Sequence, residues 1–313
     1  MARSDRQDIV AQADASSPDV AEKLLKKHLK KRPRDAEALE ALARLLSSQH
    51  RLSEIASSLV SVAMTPNAPA SIIVHACEAA TARKEFEAAR RIAIHGTAIH
   101  SEEATVWAHR GKAELATSDA PSAVTSLERA HQLDPDAIWI LSLLADADIS
   151  RGAFPIPEKH ARHLLELEPD VATHHVRLGT ALRFNDHLEE AENCFRQAIA
   201  LDPSLQAAHA GLAETLESAG KSEEAIAQLD SVINSSSPSF AVVSARARIQ
   251  LHLGNHGDAI PAMERYLASQ RGGASHQTSI LMRLGRAYEL SGRYDDAFRC
   301  WTQGNAAHRG RWD

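Results

Sequence analysis

The sequence predicts an all-α solenoid built from antiparallel helix pairs. Three observations carry that reading. The stretch Ala172–Pro203 reads as a helix, a short turn, a second helix and a terminating proline. Its small, large and proline positions recur every 34 residues along the chain. Hydrophobic content is 44% but aromatic content only 4%, with alanine dominant, and no alternating β-branched run is present.

Counting Ala172 as position 1 puts Leu178-Gly179 at 7 and 8, Ala191 at 20, Phe195 at 24, Ala198 at 27 and Pro203 at 32. Small residues at 8, 20 and 27 let two helices approach closely, and large ones at 7 and 24 fill the space beside them. Proline at 32 ends the second helix, because it lacks an N–H and clashes with the preceding turn. Position 32 recurs as Pro33, Pro135, Pro169 and Pro203, and position 20 as Ala21, Ala89, Ala123, Ala191, Ala225 and Ala259. A last unit, with Leu284-Gly285, Tyr288, Gly292, Tyr294 and Ala297, runs four residues late. This pattern resembles the tetratricopeptide repeat (TPR). The resemblance implies a right-handed superhelix of helix pairs. It also implies that the first helix of each pair, helix A, lines a concave groove through positions 2, 5, 6, 9, 12 and 13.

Taken in order, residues 1–35 read as a capping half-repeat whose firm part is a helix from Pro18 to Lys31. Ser16 or Ser17 would cap it, with Pro18 at its first position. Its Lys23, Lys26, Lys27, Lys30, Lys31, Arg32 and Arg34 read as the solvated outer face that a terminal repeat needs. Eight helix pairs follow over 36–311: 36–69, 70–103, 104–137, 138–171, 172–205, 206–239, 240–273 and 278–311. In the fourth, Pro155 and Pro157 are expected to delay the second helix, helix B, and to loosen the stacking. Ser269–His276, with Gly272-Gly273, should lengthen one turn. The tail from His308 to Asp313 is too short for a domain.

Composition excludes several classes. A net charge of −6 gives no electrostatic case for nucleic acid. Cys77, Cys194 and Cys300 form no CxxC pair and point to a reducing, cytoplasmic compartment. No apolar run approaches the roughly 20 residues that span a bilayer. The 17 histidines show no zinc spacing, so no metal is expected. Gly220-Lys221-Ser222 mimics the end of a phosphate loop, but Thr215 stands where that motif needs its first glycine. Gly220 instead falls at position 15, the turn between helices A and B. No nucleophile–base motif is found, so no catalytic residue and no cofactor are assigned.

Function is therefore sought on the groove. Position 9 reads Arg44, Glu78, Lys112, Asp146, Thr180, Glu214, Arg248 and Arg286. The alternation in the first four reads as a charge ladder between repeats, each exposed pair worth about 0–1 kcal/mol. The C-terminal half differs. Ala207, Ala210, Gly211, Ala241, Ser244 and Ala245 predict a floor without long side chains. Arg177, Arg248, Arg283 and Arg286 would wall it, with Glu214 as one opposing charge. Such a surface suits an extended, mildly acidic peptide of a protein partner. Gly211→Trp is expected to fill the floor while pointing into solvent.

The asparagines used by the carboxylate-clamp TPR subtype, and by the sugar-transferase TPR superhelix, are absent at positions 6 and 9. Neither activity is carried over. Leu284–Arg309 is similar to the last repeat before the catalytic domain of bacterial TPR-sulfotransferases. The Pro-Arg-Ser-Gly-Thr-Thr loop that follows there is missing from this sequence. The expected function is a non-enzymatic scaffold binding a peptide or protein in its groove. The alternative is the N-terminal module of such a sulfotransferase. A third reading is an adaptor at a membrane surface, using the basic helix.

Overall fold

The computed structural model describes residues 4–152, 155–235, 237–269 and 273–309. Among these the secondary structure is helical, with no strand. The chain divides into two compact units, residues 1–153 and 154–313.

The first unit holds α1 (Ser4–Asp14), α2 (Pro18–Lys31), α3 (Ala36–Ser47), α4 (Ala56–Ala63), α5 (Ala70–Ala82), α6 (Phe86–Ile99), α7 (Ala104–Ala116), α8 (Ala120–Leu133) and α9 (Ile138–Arg151). A 3-10 turn, Leu52–Ile55, leads into α4. α1 is a second helix in the region read as a half-repeat with one firm helix. It packs on α2 and α3. Pro18 opens α2 with Ser17 at the N-cap, although the Ser17 side chain makes no capping hydrogen bond. Lys23, Lys27, Lys30 and Lys31 are exposed. Lys26 is paired with Glu22 at 2.6 Å and Glu54 at 3.2 Å.

The second unit holds α10 (Lys159–Leu167), α11 (Ala172–Phe184), α12 (Leu188–Leu201), α13 (Gln206–Ser218), α14 (Ser222–Ile233), α15 (Phe240–His252), α16 (His256–Ala268), α17 (Ala274–Leu290) and α18 (Tyr294–Arg309). α10 starts only at Lys159, after Pro155 and Pro157, so those prolines do delay the helix. Phe154 lies outside the described residues, as do Gln270, Arg271 and Gly272 of the expected long turn and residues 310–313 of the tail. Gly273 is the N-cap of α17, which begins at Ala274, one turn before the register of its Leu284-Gly285.

The small positions work by letting large side chains in. Phe195 is fully buried on α12. A Cβ built on Gly179 of α11 would lie 3.1 Å from the Phe195 ring and 3.2 Å from the Cβ of Cys194. Gly179 therefore meets Phe195 and Cys194 at the crossing. Gly111 does the same against Leu127, at 2.4 Å, and Gly285 against Trp301, at 2.3 Å. The turns between helices A and B carry a left-handed residue each. These are His50, Lys84, Ser118 and Asp186, and the glycines Gly152, Gly220, Gly254 and Gly292. Gly220 is thus a turn residue, with φ +79°.

Turns from helix B to the next helix A are pinned from above. Trp107, His175 and His209 each stand four places into their repeat. Their ring N–H groups donate to the carbonyls of Ser101 (2.8 Å), Pro169 (2.8 Å) and Pro203 (2.9 Å). His100 likewise donates to Ala68 at 2.7 Å. Three of the 17 histidines make these bonds. No group of three metal-binding side chains forms among the described residues. Among the same residues, no helix is long and apolar enough to cross a membrane.

Candidate ligand-binding face

In the second unit α11, α13, α15 and α17 pack in succession. Residues three or four apart share a helix face, so Glu214 and Glu217 project together from α13, as do Arg248 and His252 from α15. The result is a ladder. Arg183 of α11 pairs with Glu214 at 3.1 Å. Arg248 of α15 reaches back to Glu214 at 3.5 Å and donates a short hydrogen bond to Glu217. His252 lies 3.4 Å from the other oxygen of Glu217.

Arg183 is the deepest cation. Its guanidinium lies 4.3 Å over the Phe184 ring, and its Nε is buried without a hydrogen-bond partner. Burial lowers its pKa, the Glu214 carboxylate opposes that shift, and the charge of Arg248 adds to it. Arg283 of α17 is half-buried. Burial lowers its pKa too, the neighbouring Arg248 charge adds to the lowering, and Glu214 offsets part of it. Arg283 makes no hydrogen bond or ion pair among the described residues.

The expected site residues separate into those the fold brings together and those it does not. Glu214, Arg248 and Arg283 form one electrostatic cluster. Arg177 bonds within its own helix. Its Nη1 donates to His174 Nδ1 at 3.2 Å, and His174 Nε2 faces Glu168 at 3.0 Å. Arg286 is exposed and bound to Glu289 on its own helix. On the floor, Ala207 and Ala241 are exposed and Ser244 is half-buried. Ala210 and Ala245 are packed away at 4% and 1% exposure.

Gly211 corrects the sequence reading. A Cβ there would sit 2.3 Å from the Phe195 ring, so a side chain at 211 points into the repeat contact and not into solvent. Gly179 and Gly211 clamp the two sides of Phe195. Gly211→Trp is therefore a folding variant and no probe of the groove.

Sequence reasoning missed Arg183, Glu217 and His252. Their signal was available: they occupy positions 12 and 13 of helix A, and the charge patterns were read only at positions 6 and 9. The ladder was also expected in the other half of the chain. In the first unit no ion pair joins Arg44, Glu78 and Lys112 among the described residues, although the Lys112 charge acts on the Glu78 carboxylate. Glu78 instead takes a hydrogen bond from His75 at 3.3 Å. His109 lies beside this group, its ring 5.9 Å from the half-exposed Trp139 ring. Burial pushes its imidazole down to about 4, against the opposing pull of Glu78 and with help from Lys112 and His75. The inter-repeat ion pairs of that unit run elsewhere, as Arg90–Asp119 at 2.8 Å and Arg51–Glu22 at 3.0 Å. All three cysteines are free, and burial raises the Cys77 thiol to about 12.

A tetratricopeptide repeat family model matches residues 176–239 and 244–299. The repeats of these segments are tetratricopeptide repeats. TPR structures match well beyond those segments. A TPR protein from Parabacteroides merdae is 14% identical with a TM-score of 0.66, over 80% of this chain and 98% of its own. Yeast Tom70 is 16% identical with a TM-score of 0.50, over 94% of this chain and 59% of Tom70. YrrB, described as a TPR protein with an unusual peptide-binding site, is 16% identical with a TM-score of 0.47, over 60% of this chain and 92% of its own. Identities this low show the TPR fold alone. A comparison with curated proteins finds no match.

Proposed function

We propose that this chain is a non-enzymatic TPR scaffold. It holds an extended peptide segment of a partner protein on the face formed by α13, α15 and α17. The observation that carries this reading is the juxtaposition of an open floor with a fixed charge ladder. Ala207, Ala241 and Ser244 leave the helix surface low. Arg183, Glu214, Arg248 and Glu217 stand beside it, tied to one another by ion pairs. A peptide backbone approaches small side chains closely, and polar groups already held in place lose little freedom on binding. Helices pack about 8–10 Å apart, and an extended chain advances about 3.3 Å per residue, so each repeat meets roughly three ligand residues. The reading places the chain in a reducing compartment, where its free thiols stay reduced.

The test is selection of linear peptides from a random library on the immobilised chain, followed by fluorescence-anisotropy titration. Ala241→Trp raises the floor at an exposed position and should abolish binding while leaving the helical circular dichroism unchanged. Peptides that bind the folded Ala241→Trp and Ala207→Trp variants at wild-type affinity would place the ligand elsewhere and refute the reading.

A further inference from the structure

The ladder is short of one negative charge. Reading across the helices, cation and anion alternate from Arg183 on α11, through Glu214 and Glu217 on α13, to Arg248 on α15. The next helix then offers another cation, Arg283 on α17, where the alternation calls for an anion. Arg248 cannot be neutralised twice, because its guanidinium already faces both carboxylates of α13. Arg286, one turn further along α17, has its own partner in Glu289. Three guanidinium groups therefore share two carboxylates, and the unmatched one is half-buried. Desolvating an unpaired charge is costly, and the cost falls when an anion is supplied.

We propose that this face takes one carboxylate from its ligand, and that Arg283 is the residue that holds it, beside Arg248. This inference rests on the peptide-binding reading above. The count favours a singly charged carboxylate over a doubly charged phosphate, since the surplus is one cation. The planar guanidinium also matches a carboxylate with two parallel hydrogen bonds. The carboxylate comes from an acidic side chain or from the end of a peptide, and both share this chemistry. On α15, which packs on α17, Ala241 is exposed and Ser244 half-buried, and neither carries a long side chain. Arg183 acts as a positioning residue. It fixes Glu214, which in turn fixes Arg248.

The experiment uses the full chain and peptides selected as above from two libraries, one with free and one with amidated C-termini. For each peptide displaced by Ala241→Trp, anisotropy titrations compare the parent with variants in which each carboxylate is replaced in turn by its amide. One carboxylate should matter on the wild-type chain, its loss weakening binding about tenfold or more. The same replacement should change nothing on Arg283→Met, and Arg286→Met should behave as wild type. If the amidated library yields binders with an essential Asp or Glu, the carboxylate is a side chain. If only the free library yields binders, it is the terminus. Should Arg283→Met fail to fold, Arg283→Lys keeps the charge without the fork and should show partial loss. The inference is overturned if peptides that need the floor bind without any carboxylate, or if amide replacement costs as much on the Arg283 variant as on wild type. Peptides indifferent to Ala241→Trp would overturn the peptide-site reading itself.

Discussion

At the scale of single residues, stability turns on positions where nothing may be added. Phe195 lies between Gly179 and Gly211, and the Gly211 side is the tighter of the two. Gly211→Ala should overpack this contact and cost about 1–3 kcal/mol in urea denaturation. Gly257→Ala is the control, because a Cβ there meets nothing within 4 Å inside α16. It should be neutral or stabilising by about 0.5 kcal/mol. Equal losses at both sites would mean that the Phe195 clamp is not formed. His109 gives a second residue-scale prediction. Its folded pKa, about 4, lies below its ordinary 6.5, so the native state resists a proton that the unfolded chain accepts. Its contribution to stability is complete above 6.5 and is lost as pH falls toward 4. The loss should reach about 2–3 kcal/mol at the acid end. His109→Leu should flatten that part of the stability–pH curve, and an unchanged slope would show that other groups set it.

At the scale of elements, two helices carry features that their pattern alone would not recommend. α16 contains Pro261, exposed and well inside the helix. A proline there removes one backbone hydrogen bond and crowds the preceding turn. Pro261→Ala should therefore raise the melting temperature, by at least about 1 kcal/mol in stability. A fall would mean that the proline ring packs on a neighbour strongly enough to offset the lost bond. The loop before α13 is closed by His209, which donates to the Pro203 carbonyl while its Nδ1 accepts from Gln228 of α14. One buried imidazole thus ties the loop, helix A and helix B together. His209→Phe keeps the bulk and removes both bonds, and should cost about 1–3 kcal/mol by the same denaturation assay.

At the scale of the whole molecule, each of the two units has a contact arrangement that is close to one-dimensional. Within a unit, helices touch their neighbours in sequence and the matching helix of the next repeat, and little else. Stability in such an array is a sum of local terms, so damage stays local. Native-state hydrogen exchange should register this directly. Gly211→Ala should speed exchange in α11 to α14, on either side of Phe195, and leave α3 to α6 at wild-type rates. Uniform acceleration along the chain would instead mean that the molecule opens as a single cooperative block.

The sequence by itself determined the repeat and its period, because close packing of two helices needs small residues at fixed positions, and prolines at 33, 135, 169 and 203 mark where second helices stop. The resemblance to the tetratricopeptide repeat pointed to helix A for the candidate face, and its groove positions singled out Glu214, Arg248 and Arg283 as candidates. It did not resolve what those residues do, since a charge is free or paired according to what stands across from it on another helix. Only the tertiary structure decided that Arg248 is already shared between Glu214 and Glu217, that Arg286 is satisfied by Glu289, and that Arg283 has no such partner. Gly211 shows the same limit. A glycine on a helix reads equally well as an open floor or as a close contact, and the choice rests with Phe195, which comes from a different helix. Local spacing fixes the helices and their pairing; the identity of the neighbour across the gap, which sets burial and charge balance, is a property of the folded chain.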